Sequence, residues 1–350
     1  MIWMAWRQLR TSAAVVGLAL VALLVTLAVT GVHLNHEYSA YRACRDIGCD
    51  GLLAQLQQSY PHVMLIGVLL LAGPAVLGIF WGAPLVGREM ESGTYRLAWT
   101  QGVSRTRWIS TRVLVGALTV LVTSGLLAFA FSWWSKPFDL TGTTRIDPTN
   151  FAQRGVVPVA YALFAFGLGV AAGALVRRTL AAMAVTLVGF VGIRMIVQYL
   201  VRPHLMTPLT KVVALGPRMP LSFKRTLGGG LQLLPGHDIS LPHAWTLGTT
   251  LADASGHPPS SAFLNHACTG LLHIPPPSHA LSGRGGVPPA QVMAAMQTCV
   301  QNVSARYHLL VSYQPGSRFW AFQWIESGIF VGLAVALLGI AVYWVRRRLV

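Results

Sequence analysis

The sequence predicts an all-α integral membrane protein with six transmembrane helices, both termini in the cytoplasm, and a loop-rich extracellular α/β segment between helices 5 and 6. Hydrophobic residues make up 54% of the chain and charged residues only 10%. The mean hydropathy is +0.57, which is too apolar for an ordinary soluble globule. Apolar runs of about 20 residues, the length that crosses a bilayer core as a helix, recur along the chain.

Six such runs are present, and we call them spans 1 to 6. The run of span 1 is longer than the core of a signal peptide and no clear cleavage site follows it, so we expect it to be retained. Before it, Trp3 and Trp6 are spaced as on one face of a short interfacial helix, or they form a simple Trp/Arg anchor. The predicted spans cover residues 11–32, 63–86, 113–134, 156–176, 179–201 and 327–345.

Positively charged residues beside the spans predict the orientation. Twelve Arg residues lie at the N-terminus, in the loop 87–112, in the hairpin 177–178 and in the C-terminal tail, against five Arg and Lys residues in the loops 33–62 and 135–155. The positive-inside rule places the first group, and both termini, in the cytoplasm. These flanks account for the net charge of +16. Because no interleaved basic and aromatic surface is present, we expect membrane lipid and no nucleic acid as a partner.

The segment 202–325 is the one region large enough for a domain outside the membrane. Clustered Pro and Gly residues predict many loops, with a helix at 289–305 and a strand at 306–313. The predicted domains are a membrane domain at 1–201, this extracellular domain at 202–325, and span 6 with its basic tail at 326–350.

The cysteines support this orientation, because Cys44, Cys49, Cys268 and Cys299 all fall on the predicted outer side, where disulfides persist. Pairing Cys44 with Cys49 and Cys268 with Cys299 is the simplest of three connectivities. The sequence does not choose among them, and four unpaired thiols are the alternative.

Motifs for catalysis and cofactor binding are missing from the sequence. None of the three lysines, Lys136, Lys211 and Lys224, completes the Gly-x-x-x-x-Gly-Lys-Ser/Thr loop that binds nucleotide phosphates. No Cys/His set has structural-zinc spacing, so no metal site is predicted. We therefore expect a chain that is not itself an enzyme and that carries no cofactor.

Arg194 is the one charge inside a predicted span, and Gln198 follows it one turn later on the same face. An intramembrane charge is costly unless it reaches the headgroups or finds a partner. Arg194 therefore either snorkels or bonds a neighbouring helix, or it lines a substrate path with Glu326 as its counter-charge.

The stretch GREMESGTYR, residues 87–96, places four charges between spans 2 and 3. Within the cytoplasmic loop 87–112 it allows a short helix, a turn, and a second amphipathic segment along the membrane surface. The alternative is a solvated basic loop that only fixes the topology.

The specific residues of this loop favour the first interpretation. REMESGTYRLAWTQGVSRTRWISTRVL resembles the first cytoplasmic loop of type-2 ABC exporter (ABC-2) permeases, in which an acidic residue, a Gly-Thr pair and a later Ser-Arg-x-x-aromatic pattern recur. The start WMAWRQLRT and the end YQPGSRFWAFQWIESGIFVGLAVALLGIAVYWVRRR are similar to actinobacterial permease subunits of this class.

The resemblance implies that this loop contains a coupling helix that docks into an ATP-binding subunit. The implied docking residues are Arg88, Glu89, Glu91, Gly93, Thr94 and Arg96, and the implied interface anchors are Ser104, Arg105, Arg107 and Trp108. Spans 2 and 5 line the central seam in similar exporters, which makes Gly78, Gly82, Arg194 and Gln198 the candidate seam residues.

The resemblance also implies a complex in the bacterial plasma membrane. Two ABC ATP-binding subunits would carry the ATP and Mg, and a second copy or a sister permease would complete the pathway. The exported substrate would be a hydrophobic or amphipathic compound, a lipid or a peptide. A non-transporting membrane sensor or assembly scaffold that works with a partner ATPase is the alternative function.

Overall fold

The computed structural model describes residues 2–44, 51, 62–93, 104–140, 144–215, 221–225, 231–235, 241, 243–272 and 290–347. The chain forms two compact units. The membrane unit comprises Met1–Leu205 and Ser317–Val350, and the inserted unit comprises Met206–Gly316.

Within the described residues, six helices are long and apolar enough to cross a membrane, which confirms the expected number of spans. They are Gly17–Ala43, Ile66–Ser92, Arg105–Trp134, Val157–Val176, Thr179–His204 and Gly316–Arg347. The chain is therefore a mostly helical, multi-pass membrane protein.

The helix boundaries differ from the predicted spans in several places. Span 1 belongs to one continuous helix, Ile2–Ala43, so the expected interfacial helix is not a separate element. Span 6 is the helix Phe319–Arg347, which begins earlier than the predicted residue 327. The early start was missed because Gln323 and Glu326 resemble loop residues in the sequence, whereas both are completely buried in the membrane unit. For this reason, and because span 5 continues to His204, the inserted unit is shorter than the expected segment 202–325.

Two spans contain irregular turns. Span 2 consists of His62–Leu77, a π-helical turn at Gly78–Gly82, and Ala83–Ser92. Span 5 consists of Thr179–Ile196, a second π-helical turn at Val197–Val201, and a 3₁₀ turn at Arg202–His204. Span 3 is the helix Arg105–Trp134, followed by the short helices Lys136–Leu140 and Pro148–Phe151.

Span 4, Val157–Val176, is the centre of the membrane unit. Of its most apolar stretch, 72% is buried, against 17–44% for the other spans, and it contacts spans 2, 3, 5 and 6. Its sequence is apolar on every side and rich in Ala and Gly, as expected for a helix enclosed by other helices.

The inserted unit contains both strands and helices. The strands are β1 (Leu209–Val213), β2 (Leu221–Arg225), β3 (Leu231–Pro235), β4 (Ala244–Ala252) and β5 (His308–Pro315). An antiparallel sheet has the order β1-β5-β4, and β2 pairs with β3. Helices Ser261–Ala267, Thr269–Leu272 and Ala290–Ser304 complete the unit. The predicted helix at 289–305 and strand at 306–313 are thus confirmed to within two residues.

A disulfide joins Cys268 to Cys299, as the simplest pairing predicts. Both half-cystines lie in the hydrophobic core of the inserted unit, with Val303, Leu309 and Val311. The expected pairing of Cys44 with Cys49 stays a prediction, because Cys49 lies outside the described residues.

Candidate functional site

Span 2 is helical up to Ser92 and stops at Gly93. Gly93 has a φ of 70°, the left-handed conformation that commonly ends helices and that favours glycine. Span 3 begins immediately after Ser104, whose hydroxyl accepts a hydrogen bond from the Arg107 N–H at 3.3 Å. The described parts of the predicted loop 87–112, which are 87–93 and 104–112, are therefore largely helical, and Thr94 and Arg96 lie outside the described residues.

Glu89 forms an ion pair with Arg112 of span 3. The Oε1 and Nη1 atoms are 2.5 Å apart, and the two side chains are only 12% and 17% exposed. The Arg112 guanidinium also lies 4.8 Å from the centre of the Trp108 ring. This pair joins the end of span 2 to the beginning of span 3.

Glu91 connects the end of span 2 to the start of span 5. Its Oε2 atom accepts a hydrogen bond from the backbone N–H of Thr179 at 3.0 Å. Arg178, the N-cap residue of span 5, supplies no side-chain cap of its own. A carboxylate at a helix N-terminus satisfies a free N–H group and lies at the positive end of the helix dipole. Glu91 therefore caps span 5 from a different helix.

The other predicted residues of this region are distributed between surface and core. Arg88 is exposed, Arg107 is exposed, and Arg105 is partly buried. Trp108, expected at the membrane interface, is only 4% exposed and packs in the hydrophobic core with Val86 and Ile109. The docking roles of Arg88, Glu89 and Glu91 all stay predictions, and Glu89 and Glu91 also have partners within the chain.

Four glycines bring spans 2 and 4 into close contact. A Cβ atom added at Gly78 or Gly82 would lie 2.6 or 2.7 Å from a backbone oxygen of span 4, and one added at Gly173 would lie 2.6 Å from the Ala83 oxygen of span 2. Gly169 faces the same contact. Gly78 and Gly82, the predicted seam residues of span 2, thus pack against span 4 inside this chain, where only glycine permits such an approach.

Near the other end of the spans, a buried cluster contains Tyr161, Arg194, Arg202 and Glu326. Arg202 donates from Nε and Nη2 to the two oxygens of Glu326, each at 2.7 Å. The Tyr161 hydroxyl donates to the same carboxylate. Glu326 therefore pairs with Arg202. The pairing of Glu326 with Arg194, one of the alternatives that the sequence left open, is not observed, because span 5 continues into a 3₁₀ turn that keeps Arg202 inside the membrane unit. Gln198 is half-buried in the preceding π-helical turn.

Gln323 caps span 4 in the same way that Glu91 caps span 5. Its Oε1 atom accepts hydrogen bonds from the N–H groups of Val156 and Val157, both at 2.9 Å. Its Nε2 atom donates to the carbonyl oxygens of Phe151 and Arg154 at 3.2 and 3.0 Å. Sequence reasoning missed this role. The available signal was the spacing of Gln323 and Glu326, three residues apart and hence on one helix face.

An apolar cavity of about 270 Å³ lies between spans 1, 2, 3 and 4. Leu20, Leu70, Pro74 and Leu127 contribute to its wall. The Ser124 hydroxyl, also at the wall, donates to the Val120 carbonyl of its own helix at 2.6 Å. The cavity thus offers a surface for a hydrocarbon group and few free polar groups.

Comparison with known proteins identifies the class of this membrane unit. Residues 17–202, more than half of the chain, match the family described as ABC-2 membrane transporter related. The chain belongs to this family. The family match confirms the resemblance to ABC-2 permeases and ends at the buried Arg202, so it covers spans 1 to 5. No curated protein and no solved structure matches the chain.

The ABC-2 family assignment gives the helical junction a context. Permeases of the ABC-2 family are membrane components that work with ABC ATP-binding subunits. The family match therefore supports an ABC ATP-binding subunit as a partner of this chain. The junction formed by the end of span 2 and the beginnings of spans 3 and 5 is then the candidate coupling site.

Proposed function

We propose that the chain is the permease subunit of an ABC exporter, which couples ATP hydrolysis by a separate ATPase to outward movement of a hydrophobic or amphipathic compound, a lipid or a peptide. The observation that carries the proposal is the set of links at the end of span 2. Glu89 binds Arg112 of span 3, and Glu91 binds the N-terminus of span 5.

These links support a mechanical role for the junction. Packed helices move as rigid elements, so a displacement applied at one end of a helix is transmitted along it. A push on the exposed residues near Arg88 would move span 2, and the contacts of Glu89 and Glu91 would carry that movement to spans 3 and 5. The glycine contacts with span 4 would transmit it to the centre of the unit.

The proposed orientation places this junction and both termini in the cytoplasm of a bacterial cell, with the inserted unit outside. The excess of Arg residues beside the junction supports it. The disulfide between Cys268 and Cys299 also supports it, because disulfides persist in an oxidising exterior.

The proposed complex contains two ATPase subunits, which bind ATP and Mg, and a second copy of this chain or a sister permease. The apolar cavity between spans 1 to 4 supports a substrate with a hydrocarbon part.

A photo-crosslinking experiment tests the partnership. A photoreactive amino acid at Arg88, in the full chain in its native membrane, should capture a protein with an ATP-binding cassette sequence. The control places the same group at Trp324, which is exposed near the N-terminal end of span 6. This control should capture no such protein. If Arg88 never captures an ATPase, the proposed coupling is wrong.

A variant of Glu91 tests the transmission. Glu91→Gln keeps the side-chain size and weakens the charged cap of span 5. We expect the variant complex to retain the captured ATPase and to hydrolyse ATP with less dependence on substrate. Loss of the ATPase from the complex would instead indicate that Glu91 contacts the ATPase directly.

A further inference from the structure

The buried cluster near the end of span 5 contains an unbalanced charge. Arg202 and Glu326 are fully buried, and Arg194 is only 8% exposed. The single carboxylate of the cluster, among the described residues, is occupied by both the Nε and Nη2 atoms of Arg202 and by the Tyr161 hydroxyl. One positive charge, that of Arg194, is left without a carboxylate partner.

The contacts of Arg194 use a small part of its hydrogen-bonding capacity. Its Nη1 atom donates to the Leu71 carbonyl of span 2 at 3.2 Å, and its guanidinium lies 5.0 Å from the centre of the Tyr161 ring. In the described part of the chain, its Nε and Nη2 atoms are buried and have no hydrogen-bond partner. A guanidinium carries five N–H donors, so most of those of Arg194 are unused.

The unused donors form one particular edge of the guanidinium. Arg202 uses the same two atoms, Nε and Nη2, to bind both oxygens of Glu326. This bidentate arrangement is the one that Arg commonly makes with carboxylates and phosphates. Both arginines of the cluster therefore present an Nε–Nη2 edge. The edge of Arg202 binds a carboxylate, whereas that of Arg194 binds no anion among the described residues.

The aromatic residues of span 6 indicate the depth of the cluster. Trp324 and Tyr343 are exposed near opposite ends of span 6. At a rise of about 1.5 Å per residue they are roughly 28 Å apart, close to the thickness of a bilayer core, and exposed aromatic residues are enriched at both membrane interfaces. Glu326 follows Trp324 by two residues. The cluster thus lies just inside one interface, at a depth where a headgroup can reach a guanidinium.

We propose that Arg194 binds the anionic oxyacid group, a carboxylate or a phosphate, of an amphiphilic substrate near the exit of the transport path. The inference rests on the proposed export function and narrows its substrate class to anionic amphiphiles. In the described conformation the Nε and Nη2 atoms are enclosed. The substrate group reaches them when spans 2 and 5 separate and the contact with Leu71 opens. A π-helical turn in each of these spans marks a local irregularity at which such movements are common.

A ligand titration of the purified full chain in a neutral detergent tests the proposal. The probes are dodecyl phosphate, dodecanoate, inorganic phosphate and the uncharged dodecyl maltoside, and the readout is the shift of the thermal unfolding midpoint with probe concentration. We expect saturable stabilisation by dodecyl phosphate and by dodecanoate. Inorganic phosphate, which has no hydrocarbon chain, and dodecyl maltoside, which has no charge, should give no stabilisation at the same concentrations. Equal stabilisation by inorganic phosphate would show a free-anion site and overturn the proposed amphiphile class.

Variants of Arg194 assign the binding to this side chain. Arg194→Met should raise the apparent Kd for dodecyl phosphate at least about tenfold, because a charged bidentate contact is lost. Arg194→Lys keeps the charge and should lose less. The control, Arg306→Gln, removes an exposed positive charge from the inserted unit and should bind as the original chain does. Unchanged affinity of Arg194→Met would refute the site.

A purely structural role of Arg194 predicts a different pattern. If Arg194 only links span 5 to Leu71, Arg194→Met lowers the unfolding midpoint without ligand and leaves ligand affinity unchanged. If Arg194 is an uncompensated cation kept for a ligand, its removal leaves the ligand-free midpoint equal or higher. The titration uses the permease alone. Binding through Arg194 together with failed ATPase capture at Arg88 would keep the anion site and refute the export function, whereas the reverse result would refute only the site.

Discussion

Removing the carboxylate of Glu89 should destabilise the membrane unit, because Arg112 would then keep its charge in a largely buried position. Breaking a fully buried ion pair by removing one partner costs about 3–5 kcal/mol, and an exposed pair contributes at most about 1 kcal/mol. The Glu89 and Arg112 side chains are 12% and 17% exposed. We therefore expect Glu89→Gln and Arg112→Gln each to lower the free energy of unfolding by about 2 kcal/mol, between these limits.

The double variant separates the ion pair from the other contacts of each residue. If the pair accounts for the effect, the double variant should be little worse than either single variant, with a coupling energy of about 2 kcal/mol. Unfolding of the purified full chain by a denaturing detergent, followed by Trp fluorescence, measures these values. Arg107→Gln, an exposed change near the start of the same helix, should alter the free energy by less than about 0.5 kcal/mol.

Additive effects of the two single variants would refute this reasoning, because they would show that Glu89 and Arg112 contribute independently. The docking role of Glu89 that the family resemblance implies predicts another outcome. In that case Glu89→Gln would leave the stability of the isolated chain unchanged and would abolish ATPase capture by the group at Arg88.

Three further changes test other parts of the structure. Gly173→Val should prevent folding of the membrane unit, because its Cβ would lie 2.6 Å from the Ala83 oxygen; monodispersity in gel filtration measures this. Gln323→Leu should cost about 2–6 kcal/mol of unfolding free energy, because two buried N–H groups at the start of span 4 lose their acceptor. Opening the disulfide by Cys268→Ser should destabilise the inserted unit by roughly 3–4 kcal/mol for a loop of this length, which limited proteolysis of that unit reports.

Matched changes control for each of these effects. Gly192→Ala, at a glycine with no neighbouring atoms within 4 Å of the added Cβ, should fold normally, and equal failure of both glycine variants would contradict the close contact of spans 2 and 4. Trp324→Leu, next to Gln323 but exposed, should leave the unfolding free energy nearly unchanged. Cys299→Ser should behave as Cys268→Ser does, and resistance of both variants to proteolysis would show that the disulfide adds little stability.

The positions of the spans were predictable from the sequence because a membrane helix depends on a one-dimensional property, the length of an apolar run. The helix Ala290–Ser304 and the strand His308–Pro315 were predictable from local signals of the same kind. The disulfide of Cys268 with Cys299 belongs to the simplest of the three connectivities that the sequence left open. None of these inferences requires knowledge of which helices are neighbours.

The partners of the charged residues were not predictable, because they depend on which helix faces meet. The small-residue pairs of spans 2 and 4 were visible in the sequence. Nothing in the spacing indicated that Gly78 and Gly82 would pack against residues 165–169 of span 4. Gly78 and Gly82 belong to span 2, whose end carries Glu89 and Glu91. The packing of span 2 against span 4 therefore determines which neighbours the two carboxylates reach. Likewise, Glu326 was one of the alternative partners considered for Arg194, whereas Arg202 was expected in the extracellular segment.

The division of the membrane unit along the chain has a consequence for its synthesis. Span 4 obtains its N-terminal cap from Gln323, which the ribosome makes only after the whole inserted unit, Met206–Gly316. At about 5–20 residues per second, that insertion delays the cap by roughly 5–20 seconds. During this interval the nascent membrane unit has its most enclosed helix in place without its partner. An arrested chain ending before span 6 would therefore present uncapped N–H groups of Val156 and Val157 at the start of span 4.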